Sequence, residues 1–202
     1  MSLTLWLASR WTPPGVLREM LGRVAVGTIH ALDGLLEKHS PGALAGIRRL
    51  ERPHGSGLES SRAWMASAHN ARVKALVEAL GKDKAVKEGR EALHSVGLVL
   101  GDNARARLGV GDGPEHLEAA ARVLYRALGI DFTLEKLESG SMLMRVHRCA
   151  LAAGYSAEAC QILSAADEGV VAGLNPKYSM RFEQRMTGGS VECLARITEA
   201  GK

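Results

Sequence analysis

The feature that most constrains the fold is a change in hydrophobic period near position 130. Before it, apolar residues recur at helical spacing, and after it they alternate as in half-buried strands. In SMLMRVH, for example, Met144 and Val146 fall on one face of a strand and His147 on the other. The change predicts an α+β fold: a helical N-terminal half, then a C-terminal antiparallel sheet of about four strands with helices packed on one face.

Turn residues divide the two patterns into separate elements. Helical spacing with Gly, Pro or Ser at the ends predicts helices over 14–39, 58–80, 84–100, 114–128 and 156–172. Alternation predicts strands over 131–138, 141–147, 178–186 and 191–197, with TGGS as a tight hairpin turn before the last strand. We therefore expect a helical N-terminal region, residues 1–90, and an α+β domain, residues 91–202, that carries every cysteine.

Charge and hydropathy exclude several classes of partner. The net charge is only +4, and the densest basic run, Arg48, Arg49 and Arg52, falls in a predicted loop, which argues against nucleic-acid binding. No apolar stretch approaches the roughly 18 residues of a membrane span. The apolar start, MSLTLWLASRW, is too short for a signal peptide and lacks its basic region. We expect a cytoplasmic protein, in which three cysteines would not form a disulfide framework.

The three cysteines, all in the last quarter of the chain, are the main candidates for chemistry. Cys160 follows Ser156, a predicted N-cap, and a helix N-terminus favours a thiolate that can act as a nucleophile or a metal ligand. Asp167 lies on the same helical face and could be a base, a metal ligand or a substrate anchor. The alternative interpretation is that the thiols are small buried core residues and that Asp167 is a solvated surface carboxylate.

Cys149 and His147 pose a question of strand geometry. In a regular strand both side chains would lie on the face opposite the core. We place Cys193 on the core face, so it would be separated from them. A shared site therefore requires the strand to end before Cys149. His147 would then be a general base or a further ligand, or else an exposed residue at a strand end. Three converging thiols could bind zinc, or three irons of an iron–sulfur cluster, although C-x10-C is not a zinc-ribbon spacing.

The order of motifs in this region resembles the L-2-amino-thiazoline-4-carboxylic acid hydrolase family. The resemblance covers roughly residues 93–197 and rests on RC, the C-x10-C pair, Asp167, Gly-Leu-x-Pro at 173–176 and GG-x-x-x-C ending at Cys193. It implies hydrolysis of a cyclic C–N bond in a sulfur heterocycle, giving an N-carbamoyl cysteine. Two positions depart from the family pattern. Ala150 replaces a Pro, and Ser190 replaces an Asp whose loss removes a possible base or ligand.

Three interpretations remain open at this point. The first is a hydrolase or lyase that acts on a small thiazoline-type substrate. Either a thiolate, Cys160 with Cys149 beside it, or a metal held by the cysteines would activate the substrate or water, with Asp167 or His147 as the base. The second is a metal or iron–sulfur protein with Cys149, Cys160 and Cys193 as ligands. The third is a non-catalytic domain that binds a small molecule. In each case the helical N-terminal half is a predicted interface for a homo-oligomer.

Overall fold

The computed structural model describes residues 1–50, 57–138 and 140–200, and these form seven α-helices and four strands. The helices are α1 Leu3–Arg10, α2 Pro14–His39, α3 Pro41–Leu50, α4 Leu58–Leu80, α5 Lys82–Leu108, α6 Pro114–Leu128 and α7 Ala157–Leu174. The strands are β1 Ile130–Lys136, β2 Met142–Cys149, β3 Tyr178–Gln184 and β4 Cys193–Glu199. This arrangement confirms the α+β prediction.

The four strands form one antiparallel sheet in the order β1-β2-β4-β3. Its inner face packs against α6 and α7 and carries the alternating apolar residues, such as Met144, Met180 and Ile197. Its outer face is polar and holds ion pairs between neighbouring strands, including Arg196 with Glu183 at 2.6 Å. The sheet is therefore covered by helices on one side only, as the alternation predicts.

Two β-bulges break this alternation near one end of the sheet. In β2 the register passes from Val146 to Arg148, so that His147 is an extra residue opposite β1. In β3 it passes from Phe182 to Gln184, so that Glu183 is extra opposite β4. Because a bulge inserts one residue, every side chain beyond it changes face. Each bulge therefore redirects side chains that follow it, which matters for the site described below.

Helix α7 is fixed by unusually close packing against α5. A Cβ at Gly97 would lie 1.9 Å from the carbonyl oxygen of Ala166, and a Cβ at Gly169 would lie 2.1 Å from that of His94. Such distances leave no room for a side chain, so glycine lets the two backbones touch. On its other sides α7 packs against β3 of the sheet and against α4 and α6. This helix is thus the element that joins the two predicted regions.

The N-terminal helices contain a buried ion pair as well as an apolar core. Asp33 of α2 accepts a 2.6 Å hydrogen bond from Arg72 of α4, and both residues are almost completely buried. Arg72 also donates to the carbonyl of Ala68, and Arg48 of α3 reaches Asp33 from the surface side. Together these bonds tie α2, α3 and α4 to one another.

Several sequence-based expectations about local structure were wrong. Residues 3–10 form a helix that was not predicted, because Ser2 caps α1 and Leu5 packs against the core. Arg48 and Arg49 lie at the end of a ten-residue helix rather than in a loop, and Arg52 is outside the described residues. The connection between β3 and β4 is longer than a tight turn. It contains a 3-10 helix, Met186–Gly188, and leaves Val191 exposed.

Within the described ranges, no helix is long and apolar enough to cross a membrane. Helix α1 does leave large apolar side chains on the surface, among them Leu3, Leu7 and Trp11 near its end. The homo-oligomer interface in this half, the boundary near residue 90 and the cytoplasmic location stay predictions.

Candidate functional site

A small cavity lies where the bulged end of the sheet meets α7 and the N-terminal helices. Its volume is about 90 Å³, and its walls come from α2, α4, α6, α7 and all strands of the sheet. Most lining residues are apolar. The polar, titratable or thiol side chains that line it are Thr28, His69, Tyr125, Cys149, Tyr155, Cys160, Ser164, Asp167, Arg185 and Cys193.

All three cysteines line this cavity, but not by the geometry expected from the sequence. Strand β2 continues through Cys149 instead of ending before it. The bulge at His147 turns Cys149 inward, where it pairs with Ile130 on the face that carries Val146. Cys193 is buried on the same face of β4, and its sulfur accepts a 3.4 Å hydrogen bond from the backbone N–H of Met186. Cys160 reaches the cavity from the first turns of α7.

The expectation of a reactive thiolate at the start of α7 is not supported. Ser156 caps the helix as predicted, with its side chain accepting from the N–H of Ala159 at 3.1 Å. Burial nevertheless raises the pKa of Cys160, and the nearby Thr187 hydroxyl and Arg185 guanidinium only partly oppose this effect. Burial also raises the pKa of Cys149 to about 11. At neutral pH both thiols are therefore protonated, since removal from water penalises the charged form of a thiol.

Asp167 is the group whose ionisation falls near neutral pH. Burial, to which the adjacent Glu168 carboxylate adds, raises its pKa from 3.8 to about 7. The Tyr125 hydroxyl and the Arg185 guanidinium act in the opposite direction but do not outweigh burial. Asp167 lines the cavity two turns after Cys160, on the same face of α7. Its position makes it a carboxylate that can take up or release a proton inside the cavity.

Arg185 is a cavity residue that the alternation pattern placed on the wrong face. A regular β3 would point it outward with Arg181, but the bulge at Glu183 turns it inward. Its Nε and Nη2 donate to the Ser164 hydroxyl at 3.1 and 2.9 Å, and its guanidinium lies over the ring of Phe182. Without the bulge, Arg185 would lie on the polar outer face of the sheet. A bulge leaves no clear signal in the sequence, so the inward position could not be predicted.

Glu168, the carboxylate beside Arg185, is already paired with Arg90. Glu168 is buried, and it accepts a 2.6 Å hydrogen bond from Arg90 and a 3.3 Å bond from the backbone N–H of Phe182. Arg185 approaches Glu168 only to 4.0 Å. Two guanidinium groups therefore share one carboxylate, and the second positive charge faces the cavity.

On the other side of the cavity, His69 belongs to a buried chain of hydrogen bonds. Its Nε2 lies 2.8 Å from the Thr28 hydroxyl and its Nδ1 lies 2.8 Å from the Tyr155 hydroxyl. Burial, together with the nearby charge of Arg72, lowers the pKa of His69 to about 3, so the ring is neutral. Sequence reasoning missed Thr28 and Tyr155, because the three residues come from α2, α4 and a loop that are far apart in the chain.

His147 does not join the site. As the extra residue of the bulge it lies on the outer face of the sheet, where it is within 2.9 Å of the Thr133 hydroxyl and 3.7 Å from Glu192. A role for His147 as the base of a site shared with the cysteines is therefore not compatible with its position. Among the described residues, no three His, Cys, Asp or Glu side chains are grouped so that they could hold a metal ion. The metal and iron–sulfur interpretation of the thiols gains no support and stays a prediction.

A solved structure of low sequence identity shares this fold. Subunit 3 of a trafficking protein particle complex from Naegleria fowleri, crystallised covalently bound to palmitic acid, matches with a TM-score of 0.54 and 11% identity over 68% of this chain and 94% of that chain. At that identity the likeness concerns the fold alone. An H-NOX protein from S. oneidensis in the Fe(II)NO state gives a TM-score of 0.46 and 13% identity over 87% of this chain and 99% of that one, which supports no argument. No curated protein matches the chain.

A family model gives a more specific result. The L-2-amino-thiazoline-4-carboxylic acid hydrolase model matches residues 61–197, well over half of the chain. The match begins before position 93, where the resemblance in the cysteine motifs starts, and it includes α4 with His69. It therefore covers every wall of the cavity except the part formed by α2. The chain belongs to the L-2-amino-thiazoline-4-carboxylic acid hydrolase family.

Proposed function

We propose that the cavity is the active site of a hydrolase that opens the ring of a small thiazoline-type amino acid. The observation that carries the proposal is Asp167, a carboxylate held near its ionisation point inside a small cavity lined with three thiols. Family membership supports the reaction class, since the family is named for this hydrolysis.

The atom balance identifies the bond that opens the ring. The oxygen of water bonds to the ring carbon that lies between nitrogen and sulfur and becomes the carbonyl oxygen of the product, while the bond from that carbon to the ring sulfur breaks. One proton of the water ends on the released sulfur and the other on the ring nitrogen, which gives an N-carbamoyl cysteine. The bond that breaks is therefore a C–S bond and not the cyclic C–N bond expected from the family resemblance, because the ring nitrogen keeps its bond to that carbon.

Asp167 is the proposed general base. A base works best when its pKa is near the working pH, and Asp167 meets this condition at about 7. The thiols are less suitable, because Cys149 titrates only at about 11 and burial also raises the pKa of Cys160. We therefore propose direct attack by water. The protonated Cys160 would donate a hydrogen bond to the leaving sulfur and would not act as the nucleophile predicted from its helix position.

The charges that line the cavity suit a zwitterionic substrate. A 2-amino-thiazoline-4-carboxylate carries an amidine-like group at one end and a carboxylate at the other. Arg185 supplies a guanidinium whose positive charge Glu168 only partly offsets, because Arg90 already binds that carboxylate. Arg185 is thus the proposed partner of the substrate carboxylate, and Asp167 is the proposed partner of the amidine.

The cavity volume limits the size of the substrate. At about 90 Å³ the cavity is smaller than the roughly 150 Å³ that accommodates benzene in an engineered site, so a five-membered ring enters only with some widening. A fatty acyl chain is far larger than this space. We therefore do not propose a fatty acid, such as the palmitic acid bound to the structurally similar trafficking subunit, as a ligand of this cavity.

The experiment is a hydrolysis assay with L-2-amino-thiazoline-4-carboxylate that follows release of the thiol. The Asp167→Asn variant should lower kcat by about 100-fold or more, the usual contribution of a general base, whereas Cys160→Ser should lower it by less than about tenfold. Asp102→Asn, the same change at an exposed residue of α5, is the control and should keep full activity. If Cys160→Ser loses as much of kcat as Asp167→Asn, and quenched wild-type enzyme shows a covalent adduct by mass spectrometry, then Cys160 and not water is the nucleophile.

Binding of this compound by the wild-type protein without thiol release would contradict the hydrolase proposal. Such a result would favour the interpretation as a non-catalytic small-molecule-binding domain, for which the Ser190 departure is the supporting observation.

A further inference from the structure

The hydrogen-bond chain through His69 has a direction that its geometry fixes. The Thr28 hydroxyl oxygen lies 2.8 Å from the carbonyl oxygen of Val24 and 3.2 Å from that of Ala25. Carbonyl oxygens only accept, so the hydroxyl hydrogen must point toward the backbone; otherwise two oxygens would repel each other at 2.8 Å. Thr28 then has only lone pairs to offer His69. It follows that His69 carries its hydrogen on Nε2 and donates it to Thr28.

The other ring nitrogen of His69 is therefore an acceptor. A neutral imidazole has one N–H, so Nδ1 presents a lone pair, and the only hydrogen available at 2.8 Å is that of the Tyr155 hydroxyl. Tyr155 donates this hydrogen to His69 and keeps two lone pairs on its oxygen. Among the described residues, no other hydrogen bond to that oxygen occurs, and Tyr155 lines the cavity.

We propose that Tyr155 is a positioning residue that accepts a hydrogen bond from an N–H group of the cavity's ligand, with His69 and Thr28 fixing it in this acceptor state. For the substrate class under "Proposed function", on which this inference rests, the matching group is the exocyclic amine of the amidine. Tyr155 and Asp167 would then be two acceptors for one nitrogen-rich end, while Arg185 binds the carboxylate. A compound of the same shape without that N–H would lose the bond to Tyr155.

The acceptor state is tested by nitrogen NMR of the histidine rings in the full-length protein. His69 should give the spectrum of a neutral ring protonated on Nε2, unchanged from about pH 5 to pH 8, and its signals would be assigned with a His69→Gln variant. If the ring is protonated on Nδ1, His69 donates to the Tyr155 oxygen, and the Tyr155 hydroxyl hydrogen is free to be donated to the ligand. This result would overturn the inference, whether or not the protein is a hydrolase.

The recognition step is tested by binding. The probes are 2-amino-thiazoline-4-carboxylate and its 2-methyl counterpart. They are compared by calorimetry in the Asp167→Asn background, in which hydrolysis during the titration is slowed, with Tyr155 intact, with Tyr155→Phe and with the control Tyr178→Phe, whose hydroxyl lies outside the cavity lining. The background protein should bind the amino compound more tightly than the methyl compound. Tyr155→Phe should lower this preference by about threefold to tenfold, the net effect of one hydrogen bond, and Tyr178→Phe should leave it unchanged. An undiminished preference in Tyr155→Phe would overturn the inference.

If neither carboxylate binds to the wild-type protein, the substrate class of the proposed function fails. The same comparison with 2-aminothiazole and 2-methylthiazole, small rings without the carboxylate, then decides the inference. A preference for the amine that depends on Tyr155 would support it, and no such preference would overturn it.

Discussion

Replacing Asp167 by Asn gives the most direct test of the electrostatics of the cavity. Asn has the same shape but does not titrate. In the wild-type protein the pKa of Asp167 is raised from 3.8 to about 7, so the folded state holds this proton more tightly than the unfolded chain does. The contribution of Asp167 to stability is therefore greatest below about pH 4 and is lost as pH rises toward about 7, opposite to that of a salt-bridged carboxylate.

The size of this effect follows from the pKa difference. A change from 3.8 to about 7 corresponds to about 4 kcal/mol, at about 1.4 kcal/mol per pH unit, and about 2.5 kcal/mol of it falls between pH 5 and pH 8. The Asn variant lacks this term. When the pH is raised from 5 to 8, the free energy of unfolding of the Asn variant relative to that of wild type should therefore increase by about 2.5 kcal/mol, whatever the difference at pH 5.

The measurement is urea unfolding of wild type, Asp167→Asn and the exposed-site control Asp102→Asn at pH 5, 6, 7 and 8. Only Asp167→Asn should diverge from wild type, with most of the change below about pH 7. Parallel profiles for wild type and Asp167→Asn would mean that the carboxylate is already ionised at pH 5. They would refute both the burial argument and the assignment of Asp167 as a base that works near neutral pH.

Two further predictions concern the packing that holds the cavity in place, and both use urea unfolding. Gly97→Ala should destabilise the fold by about 1–3 kcal/mol or more, because its Cβ would meet a backbone oxygen of α7, whereas the control Gly22→Ala, on an open helix surface, should be neutral or stabilising by up to about 1 kcal/mol. Equal effects would contradict the close helix contact. Asp33→Asn should cost about 3–5 kcal/mol, because it removes the carboxylate charge at 2.6 Å from the buried Arg72 guanidinium; a loss below about 1 kcal/mol would contradict a desolvated ion pair.

The sequence predicts the fold well wherever one period continues without interruption. The helix Pro114–Leu128 begins at its proline and ends before a glycine with positive φ, as the pattern indicates. Helix α7 begins at the predicted cap. Helix α1 was missed because it is short, and its stability depends on the contacts of Leu5 with the core, which no local pattern reveals.

The candidate site is predicted only in part, for a specific physical reason. The sequence identifies the cysteines and Asp167 by residue type and spacing, but it assigns strand faces by counting residues in twos. One extra residue in β2 and one in β3 reverse that count for Cys149 and Arg185. Both then point into the cavity, while His147 stays outside. The hydrogen-bond chain of His69 escapes prediction for another reason, since its partners are 41 and 86 positions away.

The position of Asp167 itself argues that the cavity has a function. An apolar residue of similar size would avoid the desolvation that raises this carboxylate's pKa to about 7, so Asp167 makes the fold less stable at neutral pH than it could be. The lining of the cavity also contains an arginine whose charge is not fully offset. Local conflicts of this kind concentrate at functional sites in natural proteins. The backbone contact between α5 and α7 explains how the fold tolerates them, since the helix that carries Asp167 is held by packing that does not depend on the cavity.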